Sequence, residues 1–157
     1  MIVIGIDPGI TGAVAMIGDA VAVVRDMPIM KRNEKTNQVD PRALFAMLGT
    51  IASPDERVHA IIEVVHAMPG QGVTSMFSLG LTCGIIEGVV SALGIEYELV
   101  KPEVWKKALG VGKDKDLARA MASRLYPQVD LSLKKHHNRA EALLIARYAR
   151  EKHAKNS

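Results

Sequence analysis

Residues 1–17 read MIVIGIDPGITGAVAMI, and Asp7 decides how they are understood. Ile2–Ile6 is an apolar run of strand type, and Pro8, Gly9 and Gly12 supply turn chemistry directly after the acid. A carboxylate at the mouth of an apolar strand is costly to bury unless something binds it, so Asp7 calls for a partner. A local account also stands, in which Asp7 only opens the Asp-Pro-Gly turn. Working outward, Ala13–Ile17 and Ala20–Met27 read as two more strands, with Gly18-Asp19 as the hairpin signal between them. Three consecutive strands predict an antiparallel meander.

The polar stretch Lys31–Val39 (KRNEKTNQV) reads as a loop. Asp40-Pro41 then pairs a capping residue with a proline suited to the first helical turn, and predicts a helix through about Leu48. HAIIEVV is another apolar strand interrupted by an acid, Glu63. MPGQG at 68–72 is turn chemistry, followed by a helix over Thr74–Leu93, a strand over Tyr97–Val100, and helices over Pro102–Leu109, Asp116–Leu125 and Arg139–Lys152. Loops are expected at VGKDK and YPQVDLSLKKHH. This order predicts an α/β mixed sheet covered by helices. Gly80, Gly84 and Gly88 recur at four-residue spacing, which predicts close helix packing on that face, within the subunit or at a subunit interface.

The chain of 157 residues suits one domain, 1–157. Cys83 is its sole cysteine, so a disulfide framework or a cysteine-based metal site within the chain is excluded. The N-terminus enters a strand pattern without a basic region or cleavage signal, and no apolar run reaches the roughly 18 residues of a membrane helix. The expectation is a soluble, cytoplasmic protein without a membrane partner. Charge is lopsided: residues 1–100 carry 6 Lys/Arg against 11 Asp/Glu, whereas residues 101–157 carry 14 against 6. A basic segment joined to an acidic one suits a polyanion-binding surface beside a carboxylate site.

Asp7 and Glu63 both sit on expected core strands. Two carboxylates brought close in one sheet raise each other's pKa unless a cation lies between them, and a divalent metal resolves that conflict. An arginine partner for Glu63 is the bland alternative. Asn138-Arg139-Ala140-Glu141 matches a helix capping box, which would explain Glu141 structurally. Yet His137 and Glu141, four residues apart, also share one helix face and are placed to join a metal site. Lys101, Lys106, Lys107, Lys113, Lys115, Lys134, Lys135 and Arg139 crowd the last third of the chain, either to grip a phosphate backbone or to solubilise helix faces. Trp105, the sole tryptophan, reads as core rather than as a base-stacking platform.

With these residues in hand, the sequence resembles the RuvC family of Holliday-junction resolvases, within the ribonuclease H-like superfamily, and most of all its phage and prophage branch. The matching pieces are IGIDPGITGAVA, IIEVVHAMPGQGVTSMFSLG, and KPEVWKKALGVGKDKDLARAMASRLYP running into HHNRAEALLIARYA. They cover most of the chain in the family's order. Actin-like phosphotransferases also begin with a strand and an aspartate, but they need a second nucleotide-binding half. The resemblance implies a ribonuclease H-like fold, a three-strand antiparallel meander followed by parallel strands, flanked by helices. It implies a metal-dependent endonuclease acting on Holliday junctions or other branched DNA as a homodimer. It also implies two-metal phosphodiester hydrolysis with Mg2+, or Mn2+, in which Asp7 bridges the two ions and Glu63, His137 and Glu141 complete the set. The family places an aspartate just before the last helix where this chain has His136, His137 and Asn138. His137 is chosen for its spacing from Glu141, with His136 and Asn138 as alternatives. That departure motivates a second expectation, a branched-DNA-binding protein of the same fold that cuts weakly or not at all.

Overall fold

In a computed structural model described for residues 1–51, 56–66 and 68–155, the meander is β1 (Ile2–Asp7), β2 (Ala13–Ile17) and β3 (Ala22–Asp26). Ala67, inside a stretch quoted for the family resemblance, and positions 156–157 of the expected domain lie outside the described residues. A small hairpin of β4 (Ile29–Lys31) and β5 (Asn37–Val39) follows, then α1 (Pro41–Gly49), β6 (Val58–Glu63) and α2 (Val73–Ala92). The chain continues through β7 (Glu96–Val100), α3 (Pro102–Ala108), α4 (Lys115–Leu125) and, after a 3-10 turn at Lys134–His136, α5 (His137–Lys155).

The main sheet has the order β3-β2-β1-β6-β7. β1 runs antiparallel to β2 and parallel to β6, which is parallel to β7. This is the expected mixed sheet. Side chains alternate across it as strand geometry requires. Val3 and Ile61 face one core with Trp105, Leu143 and Leu144. Ile4, Ile6 and Ile62 face the other with Leu44, Leu48, Ile86 and Val90. Asp7 shares the parity of Val3, so it points to the side covered by α5.

Local chemistry explains most boundaries. Asp40 caps α1 by accepting hydrogen bonds from the backbone N–H groups of Arg42 and Ala43, each 3.0 Å. The stretch Lys31–Val39, expected to be a loop, instead holds the β4–β5 hairpin. Its turn is built by Asn33, whose Oδ1 accepts from the N–H groups of Lys35 and Thr36 at 2.9 Å each, a side-chain turn that polarity alone does not announce.

Helix α2 brings two corrections. By length and composition it is apolar enough to cross a membrane, contrary to the reading that no stretch is; Thr82, Ile86, Val89 and Val90 nevertheless bury one of its sides against the sheet. The glycine stripe is the other. Gly80, Gly84 and Gly88 are exposed, and a Cβ placed on any of them meets nothing within 4 Å, so among the described residues they make no close packing.

Candidate active site

Parallel pairing of β1 and β6 places Ile6 opposite Ile62, so the next residues, Asp7 and Glu63, end neighbouring strands side by side. The turn after β1 folds back tightly on Asp7. A Cβ on Gly12 would fall 2.0 Å from the Asp7 carbonyl oxygen, so only glycine lets the chain reverse there.

The third acid arrives from α5. Gly5 lies beneath this helix so closely that a Cβ on it would sit 2.3 Å from the carbonyl oxygen of Ala142 and 2.5 Å from the nitrogen of Ala146. A bare strand backbone against two alanines lets α5 settle directly on β1. Glu141, next to Ala142 in sequence, is thereby carried over the end of the strand and buried beside Asp7. The capping-box reading of Glu141 does not hold. The helix begins at His137, and the Glu141 carboxylate accepts a 2.8 Å bond from Lys106 Nζ instead of reaching back to the helix start.

Helix α3 supports the acids from the other side. The Trp105 indole N–H donates to Glu63 Oε2 at 2.7 Å, and Trp105 itself is wholly buried. Trp105 is thus core, as expected, and also orients a carboxylate. Lys106, adjacent, carries its ammonium 5.1 Å above the Trp105 ring and onto Glu141.

The electrostatics are those of crowded acids. Burial, and then the charges of Glu141 and Glu63, push the Asp7 carboxyl up to about 8, against the opposing pull of Lys106 and Lys115. Burial also raises Glu63, partly countered by the Trp105 hydrogen bond. Three carboxylates form an all-oxygen donor set whose mutual repulsion a hard divalent cation relieves, so the residues present fit such an ion.

The fold recurs in proteins of known structure. Thermus thermophilus RuvC superposes with a TM-score of 0.64 over 99% of this chain and 97% of that one, at 17% identity. Its complex with Holliday junction substrate gives 0.65 over 100% and 97%, at 15% identity. The chain has a RuvC fold. The chloroplastic Holliday junction resolvase MOC1 of Chlamydomonas reinhardtii is 36% identical over 153 residues, covering 80% of this chain. The chain spans only 17% of the length of that relative. No family model matches. The resemblance to the RuvC family seen in the sequence is borne out, as is the ribonuclease H-like architecture.

Around the acids of this RuvC fold, the other expected site residues are distributed unevenly. His137 is half-buried at the start of α5, with Nε2 3.3 Å from Lys115 Nζ and Nδ1 3.3 Å from the Lys134 carbonyl oxygen. His136 is buried, and its Nδ1 accepts a 3.4 Å bond from the Leu133 N–H. Asn138 donates from its side-chain amide to the Thr11 carbonyl, tying α5 to the turn that follows Asp7. Lys107, Lys113, Lys134 and Lys135 are exposed, and Lys115, Lys134, Lys135 and His137 line one depression together with Asp114 and Asp116. Arg139 is committed elsewhere. Its guanidinium makes a bidentate pair with Asp26 at 2.6 and 2.7 Å, clamping α5 to β3, so the structure withdraws it from the phosphate grip expected of it.

One basic stretch is hidden in the sequence. Arg32 and Lys35, on the β4–β5 hairpin, line a cleft with Gly9, Thr11, Gln71 and Ser75 beside the Asp7 turn. Arg32 also stands 5.0 Å over the ring of Phe77, which is exposed. The sequence signal is two of the three cations inside KRNEKTNQV, Arg32 and Lys35, masked because the segment reads as a solvated loop.

Proposed function

We propose that the chain is a single RuvC-like nuclease domain, 1–157, that cuts branched DNA, four-way junctions above all, by metal-dependent phosphodiester hydrolysis. The observation that carries this reading is the convergence of Asp7, Glu63 and Glu141 from β1, β6 and α5, with Asp7 pushed up to about 8. The chloroplastic resolvase relative and the RuvC fold support the same chemistry. Asp7, Glu63 and Glu141 would hold the metal, Mg2+ as two ions or Mn2+ in their place, with His137 as the fourth residue. A divalent ion supplies activation of water and neutralisation of the charge that grows on the phosphate. The chain's own residues orient and exclude. Trp105 holds Glu63 in place, and Lys106 brings a fixed positive charge to the cluster. Exposed Lys107, Lys113, Lys134 and Lys135, with Lys115, form the phosphate grip.

A homodimer matches the two symmetric strands of a four-way junction. The exposed apolar side of α2, with Val73, Phe77 and the bare Gly80, Gly84 and Gly88, supports it as the contact between copies. That contact also accounts for an apolar helix side in a cytoplasmic, DNA-acting protein with no membrane partner.

A second reading, a junction binder that does not cut, is favoured by one observation. At the start of α5 the expected aspartate is replaced, and His137 turns its Nε2 toward Lys115. Incubating the protein with labelled four-way, three-way and linear duplex DNA in EDTA, Mg2+ and Mn2+ separates the two. Cutting confined to branched DNA and to the metal arms is the expected result. Tight junction binding with no cutting in either metal would establish the second reading instead.

A further inference from the structure

A different cluster occupies the opposite end of α5. His59 lies on the same face of β6 as Glu63, four residues or roughly 13 Å back along the strand. Glu98 of β7 pairs with Ile61 and so shares that face. His153 stands twelve residues beyond Glu141 on α5, roughly 18 Å along its axis. One ligand-type atom from each of His59, Glu98 and His153 lies within 4.8 Å of the others. The two imidazoles meet edge-on, with centroids 4.7 Å apart, and His59 Nε2 is 3.8 Å from Glu98 Oε1. That separation is too long for a hydrogen bond, and both atoms are buried without any other hydrogen-bond partner. The remaining Glu98 oxygen accepts from Lys152, whose side chain is substantially exposed and has room to withdraw.

We propose that His59, Glu98 and His153 form a second metal site, for a transition cation of the Zn2+ class, that staples the end of α5 to β6 and β7. Two imidazole nitrogens and one carboxylate oxygen are a borderline donor set, suited to Zn2+ and poorly suited to Mg2+, which prefers oxygen throughout. Three protein ligands leave one position for water. The ligands come from three elements far apart in sequence, so binding cross-links the edge strand, its neighbour and the helix that carries Glu141 at its other end. The site uses none of the three acids of the proposed active site.

The test uses the full chain, stripped of metal by chelation and dialysed, with ZnCl2 or MgCl2 added during thermal denaturation. Free Zn2+ at about a hundred times its dissociation constant should raise the melting temperature by roughly 5–10 °C. The rise should persist in Asp7→Asn and vanish in His153→Gln and in Glu98→Gln. X-ray absorption of the parent loaded with one equivalent of Zn2+ should show two imidazole ligands at about 2.0–2.1 Å, a readout that does not depend on any variant folding. The proposal fails if the parent shows no rise with Zn2+, if the rise disappears in Asp7→Asn but survives in His153→Gln, or if the absorption spectrum shows oxygen ligands alone.

Discussion

Helices α5 and α2 cover opposite faces of one sheet, and both carry small residues at four-residue spacing, yet among the described residues only those of α5 are packed against another element. Ala142 and Ala146 rest on Gly5, where no Cβ would fit, and Glu141 is seated beside Asp7 as a result. On α2, Gly80, Gly84 and Gly88 face open space. A stripe of small residues therefore marks a close approach without saying whether the approaching partner belongs to the same chain. The difference lies in what surrounds the stripe. Ala142 and Ala146 are flanked by Leu143, Leu144 and Ile145, all fully buried, whereas the α2 glycines sit near exposed Val73 and Phe77.

The largest effect expected of this comparison concerns the acid that α5 crowds. In EDTA the unfolded chain releases the Asp7 proton near its ordinary value, while the folded chain retains it up to about 8. The folded state thus binds the extra proton between those values, so the contribution of Asp7 to stability is fullest below about pH 4 and falls as pH rises toward 8. Asp7→Asn removes this loss, of several kcal/mol in order of magnitude, and Glu63 leaves a smaller slope of the same sign. Melting temperatures in EDTA from pH 4 to 9 measure it; a parent and variant that melt in parallel would mean that α5 does not crowd Asp7.

Next comes the seat of α5 itself. Gly5→Ala forces a Cβ into the backbone of α5, which must lift, at about 1–3 kcal/mol or more. The melting temperature should fall by several degrees, and metal-dependent cutting should fall with it as Glu141 moves. An unchanged melting temperature would erase the contrast between the helices.

Gly84→Leu should do the reverse. On an exposed helix position leucine raises helix propensity by roughly 0.5–1 kcal/mol, so the isolated chain should melt at the same or a slightly higher temperature. The same side chain would obstruct a partner helix, and sedimentation should show dimer dissociation at concentrations where the parent stays paired. A parent that sediments as a monomer at micromolar concentration even with junction DNA would remove the dimer from the account.

The smallest effect is on grip. Neutralising Lys134 and Lys135 together should weaken binding to every DNA shape and flatten the plot of log affinity against log salt by about one unit for each phosphate that is no longer neutralised. An unchanged slope would assign both lysines to solubility.

The parts of this site that are legible in the sequence are those where a residue contradicts its own neighbourhood. Asp7 and Glu63 are acids in apolar strands; the turn after Asp7 offers that residue a local account, and Glu63 has none. Glu141 is visible but doubly explained, because Asn138 to Glu141 also satisfies a capping pattern; the 3-10 turn at Lys134–His136 starts the helix earlier and frees both residues for other work. Trp105 and Lys106 are legible as core and as charge, not as partners of Glu63 and Glu141, since those bonds join residues 42 and 35 positions apart. Arg139 misleads for the same reason, its partner Asp26 lying 113 positions away. The hairpin at Ile29–Val39 escapes a sequence reading because its turn is made by one asparagine side chain rather than by glycine or proline.

The most direct test of metal-dependent cutting at the three converging acids is the rate at which parent and Asp7→Asn cut a labelled four-way junction in Mg2+, with junction affinity recorded alongside. Asn keeps the shape of the side chain and removes the charge that would hold the metal, so cutting should fall by orders of magnitude while affinity is kept or rises. A variant that cuts at the parent rate would make Asp7 a turn residue and contradict the account.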